Sequence, residues 1–243
     1  MTISFGGVFA DAGGYWRRER KLIVPVAGMF FFVPMLGAVM LLSRLDFPPE
    51  ATPEQLRQLL MGFYEAHLLP ILLINLAVDF GAFALLNLIL QGNGRTLGEV
   101  LLISLKRFVP FLVIDVLAGM AFGLGASLFL FPGLFLFARS WLAAPAFAAE
   151  PGEGIGGAFV RGWRLSRGFV WISLLGVAGA VFLAALFAIV IATALLGALS
   201  ASLGDALVLP AIAWLVCALI GAVAWVALVL LRVAAYRRLR QGI

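Results

Sequence analysis

The chain has 243 residues, of which 64% are hydrophobic and 12% charged, and its formal net charge is +5. Soluble domains carry about 25% charged residues, so this composition excludes a water-facing globular domain of ordinary size. A single cysteine, Cys217, and a single histidine, His67, rule out an intramolecular disulfide and argue against a zinc site.

In the first segment, Phe5, Val8, Phe9, Ala12 and Trp16 recur at helical spacing and are followed by Arg17, Arg18, Arg20 and Lys21. The apolar run 22–43 is too long for a signal-peptide core and lacks a small-x-small cleavage site, so it reads as a retained first span. Residues 43–65 form the longest polar stretch, enough for one short surface helix. Further runs follow near 68–90, 108–130, 127–148, 169–199 and 208–235. Each is long enough to cross about 30 Å of hydrocarbon at about 1.5 Å per residue. None alternates as barrel strands do, so an all-α bundle of six transmembrane helices is expected. Pro25, Pro34, Pro110, Pro132, Pro145 and Pro210 mark span starts and kinks. The fifth run exceeds the hydrocarbon thickness and is expected to tilt, or to break near Gly197.

Basic residues alternate between gaps. Arg17, Arg18, Arg20 and Lys21 precede span one. Arg95, Lys106 and Arg107 lie between spans two and three, and Arg161, Arg164 and Arg167 between four and five. Arg237, Arg238 and Arg240 follow span six. The opposite gaps hold Arg44 and Arg57, outweighed by Asp46, Glu50, Glu54 and Glu65, then no charge, then Asp205. The positive-inside rule puts both termini in the cytoplasm, which six spans require. The net charge is therefore an orientation signal that needs no nucleic-acid partner. Arg17, Arg18, Lys106, Arg107, Arg161, Arg164 and Arg167 are candidate contacts to anionic lipid headgroups.

Three segments read alike: Phe5-Gly6-Gly7-Val8-Phe9, Leu97-Gly98-Glu99-Val100-Leu101 and Ile155-Gly156-Gly157-Ala158-Phe159. Each precedes basic residues and a span. The spacing suggests one membrane domain, 1–243, built of three units, 1–91, 92–149 and 150–243. Each unit would be a cytoplasmic interfacial helix and a transmembrane hairpin. Any basic inside loop feeding a span would look similar, so the repeat is one of two readings.

Residues 139–145 (Arg-Ser-Trp-Leu-Ala-Ala-Pro), Glu150 and residues 158–168 (Ala-Phe-Val-Arg-Gly-Trp-Arg-Leu-Ser-Arg-Gly) resemble the YciC-like bacterial membrane proteins. These are similar to the membrane domain fused to some glycerophosphodiester phosphodiesterases. The resemblance covers roughly residues 130–175 and implies a six-span protein of the bacterial inner membrane. It carries no catalytic residues to transfer, and the chain has no room for the soluble phosphodiesterase barrel.

Ionisable residues at bilayer depth are costly and mark candidate sites. Asp79, Asp115 and Arg139 fall within spans two, three and four, and His67, Asn75, Asp79, Asn87 and Gln91 form a stripe along span two. The candidate intramembrane cluster is therefore Asn75, Asp79, Asn87, Asp115 and Arg139. In one reading it is a structural seam in which Arg139 pairs with Asp79 or Asp115. In another it lines a groove between spans two, three and four, and in a third Arg139 snorkels to the inner surface. No phosphate-binding loop, nucleophile elbow or metal-ligand spacing is present. The sequence thus points to a non-enzymatic, cofactor-free, lipid-interacting transport or scaffold module. The alternatives are a small secondary transporter or channel, and a membrane-embedded lipid enzyme.

Overall fold

The computed structural model describes residues 4–46, 48, 50–92, 94–203 and 208–242. It holds α1 (Phe5–Ala27), a π-helical turn (Gly28–Phe32), α2 (Val33–Leu42), α3 (Pro53–Ala66), α4 (Leu68–Gln91) and α5 (Leu97–Lys106). Then follow α6 (Phe108–Leu128), α7 (Leu130–Ser140), α8 (Ala143–Ala149), α9 (Ile155–Leu165), α10 (Val170–Leu203) and α11 (Val208–Gln241). Among the described residues there is no strand. Among those residues six helical segments are long and apolar enough to cross a membrane: Phe5–Leu42, Leu68–Gln91, Phe108–Leu128, Leu130–Ala149, Val170–Ser200 and Leu209–Gln241. This is the architecture of a multi-pass membrane protein. Asp205 lies outside the described residues.

Prolines set the helix starts. Pro70, Pro110, Pro132, Pro145 and Pro210 each occupy the third position of a helix, in α4, α6, α7, α8 and α11. There a missing N–H costs nothing, because first-turn amides have no intrahelical acceptor. The ring still excludes the carbonyl four residues back, so the preceding helix must end. The breaks fall at His67, Arg107, Phe129 and Trp141–Leu142. Pro25 and Pro34 instead flank the π-helical turn, whose wider ring absorbs the lost hydrogen bonds without stopping the helix. Capping boxes at Thr52 with Gln55 and at Thr96 with Glu99 start α3 and α5.

Two expectations change. The amphipathic segment before span one is no separate interfacial helix, because α1 continues unbroken through Lys21 and Leu22. The charged residues there are good helix formers and no proline precedes Pro25. α10 likewise runs through Gly197 without a break, since one helical glycine costs only about 1 kcal/mol. The second and third short helices, α5 and α9, are separate elements.

Three antiparallel hairpins follow in sequence. α5 folds back along α4 through a turn with Gly94 at φ +81°. α6 and α7 are joined by Phe129 alone, and a Cβ on Gly125 would lie 2.7 Å from the Gly133 nitrogen. α8 and α9 approach as closely, since a Cβ on Gly162 would lie 2.8 Å from the Ala143 nitrogen. Such backbone contact supplies dispersion energy in lipid, where no hydrophobic effect drives helices together.

The core sits at one end of the bundle, where Asp11 of α1 meets Arg238 of α11 and the two chain ends converge. Residues 81–89 of α4, 143–148 of α8 and most of 226–239 of α11 are buried there. Toward the other end α4, α6, α10 and α11 expose apolar side chains, with Phe129 78% exposed. A surface that apolar suits lipid and not water.

Gly125→Val would force the α6–α7 backbones apart and cost about 1–3 kcal/mol or more. Gly123→Val, on the same helix but with open space at its Cβ, should be tolerated. Melting temperatures of the purified full chain in detergent would compare the two.

Candidate functional site

A cavity of about 500 Å³ lies between α4, α6, α7, α10 and α11. Its walls are apolar and aromatic, with Phe122, Phe137, Phe182 and Trp225 prominent. Its polar lining comes from Asp115 on α6, Ser140 on α7 and Arg232 on α11. Gly119 and Gly179 also line it, and a Cβ on either would meet no atom within 4 Å. Phe122 and Phe182 are exposed at its rim, so it opens sideways between helices.

Arg232 organises the polar edge. Its Nε donates to the Trp141 carbonyl at 2.5 Å, and its guanidinium lies 5.9 Å from the centre of the Trp141 ring. That carbonyl is the one Pro145 cannot serve, since the amide four residues on is missing. Asp115 and Asp79 both lie within electrostatic reach of Arg232, though neither closes a direct ion pair with it. One guanidinium thus caps a helix break and faces two carboxylates.

The same chemistry recurs around the core. Arg107 donates to the Phe147 carbonyl at 2.9 Å, which Pro151 leaves without its helical donor, and stacks over the Phe147 ring at 4.3 Å. Arg237 donates to the Ile89 carbonyl near the end of α4, and Gln91 to the Ala148 carbonyl near the end of α8. Helix ends buried in protein need such partners, and cations there also meet the negative end of the helix dipole.

The expected cluster is therefore divided. Asn75 is exposed and bonds only the Ile71 carbonyl of its own helix. Asn87 is buried and donates to Ser104 Oγ of α5 at 3.0 Å. Asp79 and Asp115 come together, but facing Arg232. Arg139 pairs with neither: it donates to the Ser166 carbonyl at 2.7 Å and lies 4.3 Å from the centre of the Trp163 ring, while Ser166 Oγ donates back to the Arg139 carbonyl at 3.2 Å. The reason is helical phase. On α7, Leu134, Phe137 and Ser140 face the cavity, whereas Phe135 and Arg139 face α9 and α10.

The candidate headgroup residues divide too. Arg17, Arg18, Lys106, Arg164 and Arg167 are exposed. Arg107 is turned onto Phe147 as described, and Arg161 is paired with Glu150 and Glu153. Partial burial opposes the Arg161 charge, but the Glu153 hydrogen bond and the fields of Glu150 and Glu153 outweigh it, so its pKa is raised. Sequence reasoning missed the role of Arg232, although Pro145 already implied an orphaned carbonyl at Trp141. Cys217 is half-buried and free.

Compared with known family models, characterised proteins and solved structures, the chain matches none.

Arg232→Met should destabilise the protein by about 1–3 kcal/mol, since it leaves the Trp141 carbonyl without its donor. In a Pro145→Ala background the restored amide should recover about 1 kcal/mol of that loss. A double-mutant cycle on thermal or denaturant unfolding in detergent measures this coupling. Arg139→Ala should also lower the melting temperature, and Arg139→Lys should not restore it, because a lysine lacks the planar fork that bonds Ser166 while stacking on Trp163.

Proposed function

We propose that this chain is a non-enzymatic protein of a bacterial cytoplasmic membrane, both termini inside, that binds lipid-like amphiphiles as a transport or scaffold module of the cell envelope. The observation that carries this reading is the laterally open cavity, apolar on its walls and polar only where Asp115, Ser140 and Arg232 meet. Its volume falls within the roughly 300–1,000 Å³ typical of small-ligand sites. An amphiphile entering from the bilayer would lay its chain along Phe122, Phe137 and Phe182. A compact polar head would then exchange hydrogen bonds with the acid, the hydroxyl and the guanidinium. The exposed basic residues at the core end support a cytoplasmic location for that end and contact with anionic headgroups. The YciC-like resemblance and the three-unit organisation belong to the same proposal, with α5 and α9 as the short cytoplasmic helices.

A small secondary transporter is the second reading, favoured by one observation. Asp79 and Asp115 face a single arginine at the cavity edge, which leaves a carboxylate able to carry a proton or cation. It requires a dependence of uptake into proteoliposomes on a pH gradient that Asp115→Asn abolishes.

Gly119→Leu and Gly179→Leu place a side chain in the cavity at positions where the added Cβ meets no atom within 4 Å. Each should weaken saturable binding of a photoactivatable long-chain alcohol by about tenfold, equivalent to about 1.4 kcal/mol, while leaving the melting temperature near that of the parent. Undiminished labelling of both variants would overturn the amphiphile reading.

A further inference from the structure

On the face of α7 turned away from the cavity, a ladder of rings and charge joins α7 to α9 and α10. Phe131 meets Trp171 edge-on at 5.8 Å, Trp171 meets Phe135 at 5.2 Å, and Phe135 meets Trp163 at 6.1 Å. Arg139 closes the ladder over the Trp163 ring. It is 8% exposed, and its Nε has no hydrogen-bond partner. Beside it, a surface pocket of about 320 Å³ is lined by Phe159, Val160, Trp163, Arg164 and Arg167.

The charge here is uncompensated. Arg164 and Arg167 are exposed, and Arg167 lies within electrostatic reach of Arg139. Among the described residues, none of the three forms an ion pair. The nearby acids Glu150 and Glu153 are committed to Arg161 instead. An anion seated between Arg164 and Arg167 would meet positive charge that no carboxylate pairs among the described residues. The setting specifies which kind of anion. Val160 and Phe169 are exposed apolar side chains flanking the arginines, and Trp163 is 40% exposed. Tryptophan beside arginine at the end of a long apolar helix is the signature of a headgroup layer.

We propose that the elbow between α9 and α10 binds the phosphate of an anionic phospholipid, held by Arg164 and Arg167 with Trp163 against its glycerol region and Arg139 beneath as a buried positive charge. Arg164 and Arg167 stand three positions apart in the turn that closes α9, where the Arg167 amide bonds the Arg164 carbonyl at 3.4 Å, and both line one pocket; Gly168 at φ +63° then turns the chain into α10. The inference rests on the lipid-interacting reading above but uses a different surface and different residues.

The test is native mass spectrometry of the full chain released from mixed micelles of phosphatidylglycerol and phosphatidylcholine with identical acyl chains. Each arginine near the membrane surface is worth about fivefold in preference for an anionic lipid. The parent should therefore retain phosphatidylglycerol over phosphatidylcholine by about fivefold or more, and Arg164→Gln/Arg167→Gln should lower that preference at least about fivefold. Arg44→Gln/Arg57→Gln removes the same charge at exposed arginines that have no headgroup role and should leave it intact. Full preference in the first double variant, or equal loss in the second, would overturn the site. Displacement of the lipid by excess soluble glycerol phosphate would overturn a lipid as the occupant. Because the acyl chains are matched, cavity binding cancels from the ratio. Loss of alcohol labelling in Gly179→Leu with no lipid preference in the parent would thus sink the headgroup site alone, and the converse would sink the cavity alone.

Discussion

A helix that breaks inside an apolar protein exposes carbonyls that water cannot reach, and each must find a donor. This chain breaks its helices repeatedly with proline. Pro145 frees the Trp141 carbonyl and Pro151 frees that of Phe147, and arginines 232 and 107 arrive from other helices to fill them. Arg139 and Arg237 do the same at the ends of α9 and α4. Each guanidinium also lies over an aromatic ring, which adds cation–π attraction of about 0.5–2 kcal/mol and screens the charge from hydrocarbon. The short helix α8 can exist at depth because these donors are present.

This constraint explains why the core is lopsided. The broken, hydrogen-bonded helices gather where the termini meet, and packing there is continuous from Val8 to Leu239. Beyond them the long unbroken helices need nothing from their neighbours, since their backbone bonds close within each segment. They diverge enough to leave a lateral cavity, and only where the two regimes join do charged groups lie beside open apolar volume. Asp115, Ser140 and Arg232 stand at that junction.

α7 separates two environments. Its Leu134, Phe137 and Ser140 side turns to the cavity, where the charged lining is Asp115 and Arg232. Its Phe135 and Arg139 side turns to α9 and α10, where positive charge is in excess. An eleven-residue helix thus divides a site suited to a neutral head from one suited to a phosphate.

Much of this was legible in the chain alone. Composition and run length gave six apolar helices, because in lipid the backbone must satisfy itself locally. Pro110, Pro132 and Pro145 marked three of the breaks, because a proline acts on the carbonyl four residues back, whereas Pro25 and Pro34 left their helix continuous around the π-helical turn. The candidate residues Asp79, Asp115 and Arg139 were visible as charges at depth. What tertiary structure alone decided was who meets whom. Arg139 turned to Ser166, 27 positions away, rather than to either aspartate, and the donor for Trp141 came from 91 positions along the chain. Asn75 shared a stripe with Asn87 yet ended on the open side. Helical period places a side chain on a face, but which face is covered depends on packing between helices distant in sequence, and no local rule encodes that.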